Sequence, residues 1–313
     1  MAQTASDYDS PWKEALDFYF EPFMAFFFPQ TYNDIDWSKG YESLAKELQE
    51  IVRDAETGRR FTDKLVKVWL RSGDEAFLFV HIEIQSQFQV DFAKRVYIYN
   101  HRLFDRYDRE VISFVVLGDD RPDWRPTSYK YRRWDFHSRL KFPMVKLLDY
   151  QAQWQDLEQS NNPFAVIVMA HLQTQATRQD VRERFQSKLA LVRGLYERGY
   201  SKKEVLELFR LLEWMMVLPK ELEREFRTEL RKIEGGNRMP YITGFERDGM
   251  VKNARQSIVV VLKTRFNTVP EELNKRLEGI SDSDTLQTLL SQAVTTSSVE
   301  EFQQLLTQGT AVR

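Results

Sequence analysis

At 313 residues, with 42% hydrophobic and 13% aromatic side chains, the chain carries enough apolar material for a sizeable core and falls outside the disordered class. Its 45 Lys and Arg against 47 Asp and Glu give a formal charge of -2, so attraction to a polyanion has to come from local patches and a uniformly basic coat is excluded. The absence of cysteine excludes disulfides, thiolate zinc sites and cysteine nucleophiles, and fits a reducing, cytoplasmic compartment. The apolar run Phe23 to Phe28 is far shorter than the roughly 20 residues of a membrane span. Met1 to Asp9 carries acids instead of a basic signal region, so no membrane association is expected.

The first predicted element is a buried helix that begins at Pro11 behind Asp9 and Ser10, presents Trp12, Leu16, Tyr19, Phe20, Phe23 and Phe27, and stops at Pro29. Tyr41, Leu44, Leu48 and Ile51 continue at helical spacing until Thr57-Gly58-Arg59-Arg60 breaks the pattern. Phe61 to Arg71 and Glu75 to Gln85 are rich in Val, Leu, Ile, Phe and Trp around Ser72-Gly73-Asp74, a hairpin signature. Even-numbered residues Val66, Val68, Leu70, Ala76, Leu78, Val80, Ile82 and Ile84 are uniformly apolar, so even must face even. A three-residue loop, Ser72-Gly73-Asp74, satisfies this by setting residue 71 opposite 75 and Asp63 opposite Glu83. A helix over Val90 to Tyr107, a buried strand over Val111 to Leu117 ending at Gly118-Asp119-Asp120, and a strand over Phe142 to Leu148 follow. From Trp154 the chain reads as helical: Pro163 to Leu172, Asp180 to Arg198, Lys202 to Met216 and Lys220 to Glu234. Beyond the linker-like Gly235-Gly236-Asn237 come shorter helices at about Gly249 to Phe266, Pro270 to Glu278, Asp282 to Ala293 and Ser298 to Leu306.

The expected register gives Asp63 and Glu83 a common face, and two carboxylates suit a hard divalent cation of the kind that assists phosphodiester hydrolysis. The backbone carbonyl of Ile84 is a third candidate oxygen. Gln85, two residues past Glu83, returns to the same face, where its amide can orient water or a phosphate oxygen. The alternative reading makes Asp63 the polar start of a strand and Glu83 the polar end of an edge strand.

Tyr8-Asp9-Ser10-Pro11-Trp12-Lys13, Thr62-Asp63-Lys64-Leu65-Val66 and His81-Ile82-Glu83-Ile84-Gln85-Ser86-Gln87 resemble the Rpn-like family of recombination-promoting nucleases and transposase-related proteins, a branch of the PD-(D/E)XK nuclease superfamily. The stretch Arg95 to Phe104, the run Asn162-Pro163-Phe164-Ala165, and Glu213-Trp214 ahead of Leu218-Pro219 extend the resemblance over residues 5 to about 240. The resemblance implies an α/β fold with a mixed sheet flanked by helices, an acid on the first helix, an Asp on one strand and a Glu-x-Lys or Glu-x-Gln on the next. Carried over, Asp63 and Glu83 match the metal carboxylates, Gln85 the third motif position, and Asp9 or Glu14 the first-helix acid. Gln85 stands where the superfamily commonly has Lys, which removes a positive charge beside the attacked phosphate. The organisation expected is a nuclease-like core over 1–150, a helical extension over 151–235 and a small helical region over 236–313. The activity expected is Mg2+-dependent endonuclease action on DNA, with Mn2+ as a substitute ion, in a recombination or mobile-element setting. A DNA-binding or interaction module that keeps the fold without cleavage is the alternative, and a homodimer is compatible with either.

A second feature is the basic, aromatic stretch from Arg121 to Lys141. There Arg121, Arg125, Lys130, Arg132, Arg133, Arg139 and Lys141 interleave with Trp124, Tyr129, Tyr131 and Trp134, a candidate nucleic-acid contact or a solvated hairpin. The helix carrying Arg182, Arg184, Lys188 and Arg193 is the next candidate surface. His81, His101, His137 and His171 share no metal-ligand spacing and read as structural. Leu206, Phe209, Leu212, Trp214, Met215 and Met216 read as a core stripe.

Overall fold

A computed structural model of the chain describes residues 9–44, 62–83, 91–235, 241–267, 269–280 and 283–310. It divides into two compact units, Met1–Arg227 and Thr228–Arg313.

The first unit opens with α1 (Asp9–Phe18), α2 (Phe20–Phe27) and α3 (Pro29–Asp34), where a single long helix was expected. The chain leaves helical geometry at Tyr19 (φ -129°), and Pro29 starts a new helix because its fixed φ and missing N–H suit a first turn. A second correction follows at Tyr41–Ser43: these residues form a short edge strand, β1, because they pair with the next strand, and the Tyr41 ring packs 4.8 Å from Phe20. The rest of the helix expected through Ile51 lies outside the described residues.

Strands β2 (Thr62–Trp69) and β3 (Glu75–Glu83) form an antiparallel hairpin. α4 (Phe92–Tyr107) then crosses over to β4 (Val111–Leu117), which lies parallel to β3. A separate two-stranded ribbon, β5 (Ser128–Arg133) with β6 (Phe136–Lys141), precedes β7 (Met144–Lys146). The result is a five-stranded mixed sheet in the order β1-β2-β3-β4-β7.

The two faces of the sheet bury different partners. On the odd face, Leu65 and Phe77 pack with Tyr99 and Leu103 of α4, and Val115 and Leu117 pack with Phe92 and Val96. Asn100 of α4 donates to the Val111 carbonyl (2.8 Å) and to Ser113 Oγ (2.9 Å), so the polar group facing the sheet is satisfied. On the even face, Phe114 lies 4.5 Å from Phe28, and Lys64 reaches Asp17 of α1 at 2.6 Å. α6 (Pro163–Ala176), which follows α5 (Trp154–Gln159), is buried around most of its circumference. Its rings and those of α1 and α2 form one aromatic cluster, with Phe164 5.2 Å from Phe23 and 6.0 Å from Trp12. A helix apolar all round has to sit inside a layered core, and this one is capped by Asn162 with Pro163 in its first turn.

α7 (Val181–Glu197), α8 (Lys202–Met215) and the first part of α9 (Lys220–Gly235) complete this unit. Asp180 caps α7, and Ser201 with Glu204 forms a capping box on α8. Trp214 departs from its expected core role: it is exposed, whereas Phe209, Leu212, Met215 and Met216 are buried.

In the second unit, α10 (Tyr241–Phe266), α11 (Glu271–Glu278), α12 (Ser283–Thr295) and α13 (Val299–Thr310) bury Ile258, Leu262, Leu273, Leu277, Leu286 and Phe302 in a core of their own. Arg255 and Arg265 tie α10 to neighbouring segments through the carbonyls of Ile280 (2.6 Å) and Ala293 (2.8 Å). No described helix is long and apolar enough to cross a membrane.

Candidate active site and basic ribbon

The β2–β3 hairpin keeps the expected even-to-even parity but not the expected register. Its three-residue loop is Arg71-Ser72-Gly73: the Leu70 N–H donates to the Asp74 carbonyl (2.8 Å) and the Gly73 N–H to the Leu70 carbonyl (2.9 Å). Gly73 takes a φ of +99°, the left-handed conformation that closes such a loop and that a side chain resists, so the turn falls one residue earlier than Ser72-Gly73-Asp74. Every pair then moves by two residues. Asp63 lies opposite His81, and Glu83 falls two residues further along its strand.

Because a two-residue shift leaves parity unchanged, positions 63, 81 and 83 still share the odd face. Diagonal neighbours of this kind are about 7–8 Å apart at the backbone, a span that two carboxylate side chains can close around one cation. Glu83 lies in register with Leu117 of β4, and Phe92, which follows the N-cap Asp91 of α4, packs in the same cluster as Leu117. The two acidic positions are therefore at the end of the sheet where the crossover helix begins. Ile84 and Gln85 lie outside the described residues.

The first-helix acids divide. Asp9 is the first residue of α1. Glu14 pairs with Arg210 of α8, and α1 lies against the even face through the Asp17–Lys64 pair, across the sheet from positions 63 and 83. Among residues whose side chains are described, no group of three or more His, Asp or Glu forms a metal-binding cluster.

Beyond Leu117 the same end of the sheet holds a buried polar network that the residue pattern did not announce. Asp119 and Lys146 form an ion pair at 2.5 Å with both side chains fully excluded from solvent. Lys146 Nζ also donates to the Trp124 carbonyl (3.3 Å), and Asp119 Oδ1 accepts the Arg121 N–H (2.9 Å). The preceding Gly118 carbonyl accepts from His171 Nε2 (2.7 Å) and from the Gln175 amide. Burial holds the His171 pKa down to about 4, with Arg178 adding to the effect and the Gly118 and Asp119 contacts opposing it. Since Leu117 pairs with Glu83 on one side and Lys146 on the other, this network braces the row of backbone that carries Glu83. The sequence signal for it was a lysine in the buried segment between Phe142 and Leu148, set against an acid just past a buried strand.

The predicted basic segment separates into two parts. Arg125 makes two hydrogen bonds to Asp149 (2.8 and 2.6 Å), which raise the Arg125 pKa, lower that of Asp149 and commit this arginine to an internal contact. Arg121 is exposed at the same bend. The remainder forms the β5–β6 ribbon, closed by Trp134-Asp135 with Trp134 at φ 50° and 84% exposed. Its register places Tyr129, Tyr131 and Arg133 on one face with Leu140, Ser138 and Phe136. The opposite face carries Ser128, Lys130 and Arg132 with Lys141, Arg139 and His137.

The aromatic face meets α4: the Tyr97 ring lies 5.0 Å from Tyr129 and 6.0 Å from Tyr131, and Tyr97 Oη bonds Ser138 Oγ at 2.8 Å. Lys130, Arg132, Arg133, Arg139 and Lys141 are exposed, and among the described residues none has a carboxylate within ion-pair range. Three of the four cations of the alternative basic helix already have partners, while Arg193 is exposed. Arg182 pairs with Glu225 (2.7 Å), Lys188 is buried against Glu213 (2.5 Å), and Arg184 Nη2 donates to the Thr177 carbonyl (3.0 Å).

Comparison with family models, with characterised proteins and with solved structures returns no match to this chain.

Proposed function

We propose that this protein is a metal-dependent endonuclease acting on DNA, of the PD-(D/E)XK type that its motifs resemble. The observation that carries the reading is the placement of Asp63 and Glu83 on one face of neighbouring strands, at one end of a mixed sheet flanked by helices. The donor chemistry fits: two carboxylates from adjacent strands are hard oxygen ligands suited to Mg2+, with Mn2+ as a substitute. Asp63 and Glu83 would hold the ion, with the Ile84 carbonyl as a third oxygen. When bound, the ion makes water a stronger nucleophile and offsets charge gathering on the phosphate.

The chain's own groups do the rest. Gln85 orients water or a phosphate oxygen from the position after Ile84, and because a neutral amide stands where a lysine is common, phosphate charge has to be met by cations elsewhere. The exposed cations of the β5–β6 ribbon supply that charge and hold the substrate. The buried Asp119–Lys146 pair keeps the strand ends fixed beneath the site. A recombination or mobile-element setting follows from the resemblance.

Nicking of supercoiled plasmid with Mg2+, Mn2+ or chelator tests the reading. Wild type should nick with either metal and stop with chelator, whereas Asp63→Ala and Glu83→Ala should each lose cleavage while retaining DNA affinity, since removing a carboxylate also removes repulsion of phosphate. Wild-type protein that binds DNA and never nicks it overturns the nuclease reading in favour of a binding module, for which the ribbon, independent of the two carboxylates, would suffice.

A further inference from the structure

We propose that the β5–β6 ribbon is a duplex-gripping arm. In this reading Lys130, Arg132, Arg139 and Lys141 on one face engage phosphates on both sides of a groove, and binding depends on charge and shape, not on base stacking. The proposal deepens the endonuclease reading and rests on it only for the choice of DNA as the polymer.

The ribbon segregates its chemistry by face. Through the alternation of strand side chains, the interleaved sequence sets Lys130, Arg132, Arg139 and Lys141 on one face, and Tyr129, Tyr131 and Phe136 on the other with a single cation, Arg133, next to the tip. Lys130 lies directly opposite Arg139, and Arg132 opposite His137. Like charges directly across an antiparallel pair oppose folding, and natural strands ordinarily relieve them with a carboxylate. Here none is in range among the described residues, and Asp135, in the turn, is the one acid between Ser128 and Lys141. An uncompensated cation ladder on an exposed surface, in a chain whose total charge is -2, is the pattern a polyanion completes.

The same segregation argues for duplex over single strand. A single-strand platform sets aromatic rings beside cations in one groove so that bases stack while phosphates are neutralised. In this ribbon Tyr129 and Tyr131 are on the face away from the cation ladder, where both rings meet Tyr97 of α4 and Tyr131 keeps an exposed side. A two-stranded ribbon is also of a width that the major groove of B-DNA admits. Trp134, 84% exposed at the tip and 5.6 Å from the Arg133 guanidinium, with Phe136 also exposed beside it, is the most open ring of the ribbon and the one whose removal tests the stacking mode.

The test is equilibrium binding by fluorescence anisotropy, in chelator so that cleavage plays no part, using a 20-base-pair duplex and its single strand over 50–200 mM salt. Lys130→Gln/Arg139→Gln should flatten the duplex salt dependence by roughly two phosphate contacts, a slope change of about 1.8, and weaken binding on the order of 100-fold at the lowest salt. Trp134→Ala should stay within about twofold of wild type on duplex, and Arg182→Ala, whose guanidinium is already paired with Glu225, should match wild type. Circular dichroism checks folding. If the double variant is misfolded, Lys141→Gln takes its place, with half the slope change expected.

An unchanged slope in a folded variant overturns the arm, even if wild type nicks DNA. So does a loss confined to single strand on Trp134→Ala, which would assign the ribbon to stacking. Slope loss in a protein that never nicks upholds the arm and overturns only the nuclease reading.

Discussion

Acidification should weaken this fold through His171. The imidazole sits on α6, fully buried, with Nε2 donating to the Gly118 carbonyl at 2.7 Å and the Trp12 ring edge-on at 6.1 Å. Its pKa is about 4 in the fold against about 6.5 for an unfolded chain. Because the folded value is the lower one, the unfolded chain binds the proton first. The contribution of neutral His171 is fully present above pH 6.5 and is lost as pH falls towards 4. From these two values, folding loses about 2 kcal/mol at pH 5 relative to pH 8 through this group alone, and up to about 3.4 kcal/mol below both. The measurement is urea denaturation of wild type and His171→Gln at pH 8, 6, 5 and 4.5. Glutamine can donate to the same carbonyl but does not titrate, so the mutant's loss from pH 8 to pH 5 should be smaller by about 2 kcal/mol, or roughly 4–8 °C in Tm. Identical pH dependence in the two proteins would refute the assignment and place the acid sensitivity in other groups.

Lys146→Met should cost about 3–5 kcal/mol because it leaves Asp119 charged and buried, while adding Asp119→Asn, which keeps an acceptor for the Arg121 N–H, should recover at least half of that loss in the same urea assay. Lys188 lies 2.5 Å from Glu213, 3.7 Å from Glu223 and 4.6 Å from the centre of the Phe226 ring. Lys188→Met should therefore cost less, about 2–3 kcal/mol, because Arg227 stays within 2.9 Å of Glu223 and still pairs with Glu213. A double-mutant cycle of Lys188→Met with Glu213→Gln should show a coupling above about 1 kcal/mol, and additivity would indicate that the two charges act separately.

Local chemistry made much of this protein legible from its residues. The helices expected over Pro163 to Leu172, Asp180 to Arg198 and Lys202 to Met216 form at Pro163–Ala176, Val181–Glu197 and Lys202–Met215, because helix boundaries are set by chemistry within a few residues, here the caps Asn162, Asp180 and Ser201. The parity of the β2–β3 hairpin, and with it the common face of positions 63 and 83, followed from the even-numbered apolar run. The interleaved basic and aromatic residues of the β5–β6 ribbon were visible for the same reason, since strand alternation is a property of the backbone.

Tertiary structure decided what depends on distant partners. The conformation of Gly73 placed the loop and moved Asp63 from Glu83 to His81, since parity constrains register only to within steps of two. Pairing with β2 made Tyr41 part of a strand where its spacing suggested a helix. Which cations remained available was also a matter of the fold. Arg125 met Asp149 across 24 residues, Arg182 met Glu225 across 43, and Lys146 and Lys188 were buried with acids brought to them from other elements, while the ribbon's four in-line cations met no carboxylate among the described residues. A charge's sequence neighbours do not set its pairing, because side chains find partners in space, and only the folded arrangement separates a structural cation from one left for a ligand.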